Sequence, residues 1–553
     1  VSETLDTPRI MGGDAKRRKT GVTPEGAAMA ATVKEMDGSL GFDVVVVCTS
    51  NAAQEGYWQE RLEATRGQAA KKDAVIVAVH EDWGADGAGN GLGTLYAYTK
   101  ARAKAMTDSG SDLDAVLRSG GTVGIYHTAG KGTRLAPLPG AENNNKPGVK
   151  LPSLVTTAPG VTAELTILEA VVRQTGCYAP KRAGRLSVFW GDQIFVPSAG
   201  HNDSGAHHAD ILAQMGPMPD EQEWVAKGLD KYGLITVNDA GEAAQVEKVS
   251  YETAMGLLAS FGKVVGVGPS LGSFSMSNEM LTELLSEFKT ELAQKTAKMD
   301  SDPHFWMPLT LDETSYVSVM VTKDEAASGA AAHHKRMSKF KTALLEAHPG
   351  KGLFGAIDVG ERCYWWDYGQ LKLYQTNNVL AMADSEEAEA LREYLKIPES
   401  RVIGGDVAGV ALEGGSVALA CDIKEGTLTH TVASRVTCDS VDANGCLLIN
   451  VTARKIKATN CVVYNVADDS EDGLILPSGA VVTNVFMPGG APKLTQTSST
   501  TTDGGKVFKL KMSQNPYSFA DVYEMNQRVD VKAAYAAGAA AHAEAKTKLF
   551  GKK

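Results

Sequence analysis

Between residues 43 and 190, short apolar runs alternate with stretches of helical character. Asp43-Val44-Val45-Val46-Val47-Cys48 after its first residue, and Ala74-Val75-Ile76-Val77-Ala78-Val79 throughout, are apolar at every step, as expected of strands buried on both faces. Gly121–Tyr126 and Leu186–Trp190 repeat the pattern. Gln54–Leu62, the residues from Leu95 onward and Leu165–Thr175 read as helices, and Gly84–Gly93 as a glycine-rich loop. Strands alternating with helices predict a parallel α/β sheet with its ligand at the carboxyl ends of the strands. The middle of the chain is mixed. Tyr232–Val237 and Val264–Val267 read as strands, and Asn278–Met299, Ala326–Glu346 and Glu386–Leu395 as helices.

From about residue 400 the period changes. Val402, Val407, Val410, Val417, Ile423, Leu428, Val432, Val436, Val441, Leu447, Ile449, Val451, Ile456, Val462 and Val466 recur at a spacing of roughly five to six, with small, polar and Cys residues between them. That spacing predicts a left-handed parallel β-helix, with an irregular β-sandwich as the alternative. Residues 490–506 are rich in Ser, Thr and Gly and read as a linker, and the Ala-rich tail from Val531 as a helix. The expected organisation is an N-terminal arm (1–25), an α/β domain (26–395), a β-helix domain (400–530) and a helical tail (531–553).

Composition narrows the partners. The 553 residues carry a net charge of -11, which argues against nucleic acid. No apolar run approaches the ~20 residues needed to span a bilayer, so no membrane partner is expected. The seven cysteines are irregularly spaced, without a Cys-x-x-Cys pair, and read as buried thiols in a reducing compartment. No signal-peptide pattern is visible. The expected location is the cytoplasm, with a plastid or another organelle left open.

The most informative stretch is Thr128-Ala129-Gly130-Lys131-Gly132-Thr133-Arg134-Leu135, followed by a polar insert and Lys146-Pro147-Gly148. Gly130 and Gly132 allow a backbone turn whose N–H groups reach phosphate oxygens. Arg134 adds a planar fork of donors and Lys146 a compact charge. The combination suits a nucleoside triphosphate that loses pyrophosphate. Lys150 competes with Lys146 for the phosphate role. His207-His208 and His333-His334 read as surface residues rather than metal ligands, and Trp365-Trp366 as core.

The loop resembles the signature of the sugar nucleotidyltransferases, or nucleotide-sugar pyrophosphorylases. Gly130, Gly132, Thr133, Arg134, Leu135, Lys146 and Pro147 match it, Ala129 stands where a glycine is usual, and the spacer is lengthened. Further segments follow in family order: Gly191-Asp192-Gln193, Tyr232-Gly233 with Glu247-Lys248, Gly266–Phe274, and Trp366-Asp367-Tyr368-Gly369. The segment Gly91-Leu92-Gly93-Thr94, similar to the family's base-lining Gly-x-Gly-Thr, precedes the phosphate loop instead of following it. The resemblance therefore implies a GT-A/Rossmann-like nucleotidyltransferase domain, circularly permuted, with an order similar to the fucose-1-phosphate guanylyltransferases.

The resemblance implies roles for individual residues. Arg134, Lys146 and Asp192 would be catalytic. Gly93, Thr94, Ala129, Gly130, Gly132 and Thr133 would bind the nucleotide. Gly233, Glu247 and Lys248 would take the sugar and its phosphate, and Asp192 with Asp367 would hold Mg²⁺. The implied partners are a nucleoside triphosphate and a sugar 1-phosphate, first of all UTP and glucose 1-phosphate. GTP with fucose 1-phosphate, or a catalytically silent regulatory or scaffold homologue, are the alternatives. Homo-oligomerisation through the exposed edge of the β-helix is a further expectation.

Overall fold

The computed structural model describes residues 23–84, 87–200, 205–489 and 493–551. The expected N-terminal arm lies almost wholly outside them. The first helix, α1 (Pro24–Glu35), starts on Thr23, whose hydroxyl accepts the Gly26 N–H, and the second, α2 (Ala52–Ala64), starts on Asn51.

The strands of the first part are β1 (Val44–Thr49), β2 (Val75–His80), β3 (Val123–His127), β4 (Lys150–Ala158), β5 (Val161–Thr166), β6 (Arg185–Trp190), β7 (Gln193–Val196), β8 (His207–Ala213), β9 (Gly216–Pro217), β10 (Gly233–Asn238), β11 (Ala243–Glu247), β12 (Val264–Ser277), β13 (Gly352–Asp358) and β14 (Tyr364–Asp367). The main sheet runs β11-β10-β12-β6-β3-β1-β2, with β8, β9 and β13 joined through β12. Strands β6, β3, β1 and β2 are mutually parallel, as the apolar runs predict. Val45 and Val47 enter one core and Val44, Val46 and Cys48 the other, which explains why β1 is apolar from Val44 to Cys48.

The sheet is mixed rather than wholly parallel. Strand β12 runs antiparallel to β6 and β10, and extends over fourteen residues where Val264–Val267 was expected. The helix expected over 278–299 stops sooner. It divides into Asn278–Glu287 and Lys289–Gln294 at the buried Phe288, and ends on Lys295 in the left-handed region.

The glycine-rich stretch 89–93 is not a loop. It is the first turn of a long helix, α3 (Gly89–Ser109). A Cβ at Gly89 would stand 2.5 Å from the Met299 carbonyl oxygen, and one at Gly91 2.9 Å from it. These two glycines are needed because another segment of the chain crosses the helix start.

Beyond residue 400 the chain stacks in parallel coils. Val417 pairs with Val432, Val432 with Leu447 and Leu447 with Val462. Successive coils are fifteen residues apart, as the Thr431 hydroxyl bonded by the Cys446 N–H illustrates. Ala420, Arg435, Asn450 and Asn465 all take left-handed conformations at that step, and His430, Gly445 and Asn460 do the same at a second corner. Val417 and Leu419 join the core that also holds residues of β1 and β7, while Ala418, Cys421 and Ile423 fill the coil interior. Apolar residues on both faces blurred any simple alternation in the sequence. All seven cysteines are buried and unpaired.

The stretch expected as a linker pairs instead. Leu494–Ser499 lies antiparallel to Ala480–Val485 and closes the stack. The tail is helical over Val531–Phe550, as the Ala-rich composition predicts.

Candidate active site

Strand β3 delivers the glycine loop to the carboxyl edge of the sheet. Thr128 is tied back to the Cys48 carbonyl through both its N–H (3.0 Å) and its hydroxyl (2.9 Å). The chain then leaves the sheet, and Ala129, Gly130 and Lys131 are exposed. Gly130 has φ 126°, and a Cβ there would meet nothing within 4 Å, so the turn is open to a ligand. Gly132 has φ 62°, and its missing Cβ would lie 3.0 Å from Lys146 Cγ. Thr133 and Arg134 follow in a single 3₁₀ turn anchored by buried Leu135, with Arg134 exposed.

Two acidic residues from distant segments meet beside this loop. Asp192 occupies the turn between β6 and β7, and Asp367 ends β14. The antiparallel β7–β14 ribbon sets Gln193 opposite Asp367, and the Tyr368 N–H donates to the Asp192 carbonyl at 2.9 Å. A Cβ on Gly369 would stand 2.8 Å from Asp192 Oδ2 and 3.0 Å from Asp367 Oδ1. Lys146 donates its ammonium to Asp192. Burial, and after it the Asp192 charge, raises the Asp367 pKa above the usual carboxylate value, against the opposing pull of the Gly369 N–H, Arg134 and Lys146.

The two lysines have separate jobs. Lys150 donates to Glu142, which is fully buried and also receives the Tyr464 hydroxyl. Its ammonium is committed there, whereas Lys146 is the lysine that meets the acid pair. The insert Pro139–Asn145 is buried and tied to the C-terminal part of the chain: Asn144 Nδ2 donates to the Tyr523 carbonyl and Asn526 Nδ2 to the Gly140 carbonyl.

Asp192 and Asp367 suit a divalent cation. They offer hard oxygens, and Mg²⁺ commonly takes one or two carboxylates together with substrate phosphates and water. Among the described residues no group of three or more His, Cys, Asp or Glu side chains is poised to hold a metal, so the remaining ligands would have to come from substrate and solvent.

The other expected residues divide. Gly93 lies in the first turn of α3, near the carboxyl edge of β2 and β3. Thr94 is fully buried: its hydroxyl donates to the Asn90 carbonyl at 2.8 Å and meets His127 Nε2 at 2.8 Å. It is a structural link between α3 and β3. His127 carried no expectation, although a histidine closing an otherwise apolar strand just before the glycine loop was a usable signal. Burial lowers its pKa to about 4, so the ring is neutral at pH 7.

Gly233 pairs with Glu247 across β10 and β11. Glu247 contacts Lys248 at 3.6 Å and Lys323, a residue of the later helical segment, at 2.6 Å. Lys248 has φ 54° and is exposed. Near Glu247, burial raises Asp302 to about 6. Two strands, β10 and β12, separate β11 from β6, so this group belongs to a different part of the sheet from Asp192.

The histidine pairs are not surface residues. His208 is buried with Nδ1 2.9 Å from the Ser277 hydroxyl, and His334 is buried against the Leu311 carbonyl. His207 faces Asp210 and Glu242, and His333 the His304 carbonyl. Each ring satisfies a polar group in its own packing environment. Trp366 is core, with its indole N–H on Glu387 at 3.1 Å.

A contribution that carried no expectation comes from the far end of the chain. The turn at Asp503–Val507 packs on the glycine loop so closely that a Cβ on Gly504 would stand 2.5 Å from the Thr133 carbonyl oxygen. Phe508 and Phe519 bury Ala136, and the Lys131 ammonium lies 5.1 Å from the Tyr523 ring centroid.

No protein-family model matches the chain, and no curated protein matches it. Among solved structures, HddC from Yersinia pseudotuberculosis is similar at 12% identity, over 61% of this chain and 97% of that chain, with a TM-score of 0.19. At that score the likeness fixes neither fold nor function. Among the described residues, no helix is long and apolar enough to cross a membrane.

Proposed function

We propose that the chain is a sugar nucleotidyltransferase that joins a sugar 1-phosphate to a nucleoside triphosphate and releases pyrophosphate. The observation that carries this reading is the convergence of Asp192, Asp367 and Lys146 beside an open glycine turn that bears Arg134. An oxygen of the sugar 1-phosphate attacks the α-phosphorus, a P–O bond forms, and the bond from the α-phosphorus to the bridging oxygen breaks as pyrophosphate leaves. No covalent enzyme intermediate is needed; the protein positions the anions and neutralises their charge. The backbone at Gly130–Thr133 cradles the triphosphate. Arg134 meets the departing pyrophosphate, and Lys146 meets phosphate once it turns from Asp192. Asp192 and Asp367 would hold Mg²⁺, which when bound supplies charge neutralisation at the reacting phosphates.

On the resemblance alone, Glu247 and Lys248 would take the sugar 1-phosphate, although β10 and β12 lie between β11 and β6. UTP with glucose 1-phosphate is the pairing the Gly-Thr-Arg-Leu and Lys-Pro motifs suggest, and GTP with fucose 1-phosphate the one the segment order suggests. The position of β3 between β1 and β6 supports a permuted nucleotidyltransferase domain. Parallel pairing at a fifteen-residue step supports a C-terminal parallel β-helix, whose left hand remains part of this proposal. The direct test mixes the protein, Mg²⁺, each of four nucleoside triphosphates and a set of sugar 1-phosphates, and measures pyrophosphate. Release that Asp192→Asn abolishes is expected. No release from any pair refutes the enzyme and leaves a silent homologue.

A further inference from the structure

Strand β2 ends the main sheet on one side. Its neighbour is β1, and among the described residues no strand lies along its outer edge. A bare edge offers a row of unpaired N–H and C=O groups to the edge of another molecule. In the parallel β1–β2 ladder the Val75 N–H turns inward to the Asp43 carbonyl, so by alternation Ile76, Ala78 and His80 turn outward. Side chains take up those outward groups. Gln59 Nε2 donates to the Ile76 carbonyl at 2.8 Å, and the Ala78 N–H donates to Gln59 Oε1 at 2.9 Å. One residue of a further parallel strand would make the same two bonds, so the Gln59 amide stands in that residue's place. The Lys104 ammonium donates to the Ala78 carbonyl and the Lys100 ammonium to the His80 carbonyl, both at 2.8 Å.

These side chains come from the helices on either side of the strand. Gln59 lies on α2, and Lys100 and Lys104 lie one turn apart on α3. Each is held by an acid: Gln59 by Glu63 at 2.8 Å, Lys104 by Glu55 at 2.5 Å and Lys100 by Asp82 at 2.9 Å. Past Gln59 the edge from Ala74 to Val77 borders a groove of about 330 Å³ walled by Glu63, Arg66, Asp73 and Asp108. A strand laid there by another molecule would have to take those charges out of water.

We propose that Gln59, Lys100 and Lys104 close this edge against a second copy of the chain. The partner the bare edge fits is β2 itself, because antiparallel pairing about a twofold axis sets the same outward groups of both copies face to face. Val75-Ile76-Val77-Ala78-Val79 is uncharged and rich in β-branched residues, the composition that favours such pairing. With the three side chains in place, the bonds at Ile76, Ala78 and His80 are already made, and an incoming strand must break them before it forms its own.

Sedimentation velocity and amide hydrogen exchange on the full chain test this together. Gln59→Met keeps the length of the side chain and makes neither bond. At low protein concentration its Ala78 N–H should exchange about tenfold faster than in wild type. As concentration rises, Gln59→Met should self-associate about tenfold or more tightly than wild type, and the stretch Val75–His80 should regain its protection. Gln59→Glu keeps an acceptor for the Ala78 N–H and adds a charge at the edge, so it should associate no more than wild type. Lys104→Met frees the Ala78 carbonyl alone. It should associate more than wild type and less than Gln59→Met, and it carries the test if Gln59→Met does not melt cooperatively. Association equal to wild type in both methionine variants overturns the proposal. So does association that leaves exchange along β2 fast, or association of Gln59→Glu as strong as that of Gln59→Met.

Discussion

Asp192 and Asp367, 175 positions apart in the chain, both come within 3.0 Å of the point where a side chain on Gly369 would begin. The glycine is what lets two carboxylates share one place. Gly369→Ala should force them apart and cut pyrophosphate release with little loss of stability, measured by steady-state kinetics beside thermal melting. Replacing either acid by its amide should lower kcat by about 10²–10³-fold, the usual cost of losing one charge-stabilising group at a transition state.

The same pair gives a pH prediction. The raised pKa of Asp367 means the folded state holds its proton more readily than the unfolded chain does. Its contribution is therefore favourable at low pH and is lost as pH rises through the folded-state value. Asp367→Asn should raise the melting temperature in EDTA at pH 7, and the gain should shrink toward pH 4. Equal melting of the two proteins at pH 7 would count against a desolvated acid pair.

Gly132 stands in the left-handed region against Lys146 Cγ. Gly132→Ala adds about 1–2 kcal/mol of backbone strain and displaces the lysine. The expected result is a drop in kcat, read against Gly130→Ala, which meets open space and should act through its backbone alone.

Glu142 joins the insert at Pro139–Asn145 to β4 through Lys150 and to the coils through Tyr464. Removing one partner of a buried ion pair commonly costs about 3–5 kcal/mol. Glu142→Gln should lower stability by about 3 kcal/mol, toward the smaller end because Lys150 keeps some solvent access. Denaturant titration measures it.

At the coil corners, Ala420 pays for a left-handed backbone that glycine adopts freely. Ala420→Gly should stabilise the protein by up to about 1 kcal/mol, with no change in activity. A destabilised variant would mean that the Ala420 methyl group contributes more through packing than the corner loses.

How far the sequence could be read depended on range. The buried parallel strands were legible because β-branched runs with no polar position admit few other structures, and the glycine loop was legible because its chemistry lies within a few residues. The loop expected over Gly84–Gly93 gives way to helix at Gly89 because Gly89 and Gly91 answer to Met299, some two hundred residues away, rather than to a turn. The histidine pairs were misread for the same reason: His208 and His334 are polar in sequence and buried by partners such as Ser277 and the Leu311 carbonyl.

Residue order by itself determined the β1, β2, β3 and β6 strands, the glycine turn at Gly130–Gly132 and the change of period near residue 400, since each follows from local sterics and hydrophobic spacing. Only tertiary structure decided that Lys146 rather than Lys150 meets Asp192, that Asp367 lies beside Asp192, and that residues 503–508 support the loop. Those outcomes depend on which distant segments pack together, and the free energy of such contacts is set by burial and charge in three dimensions.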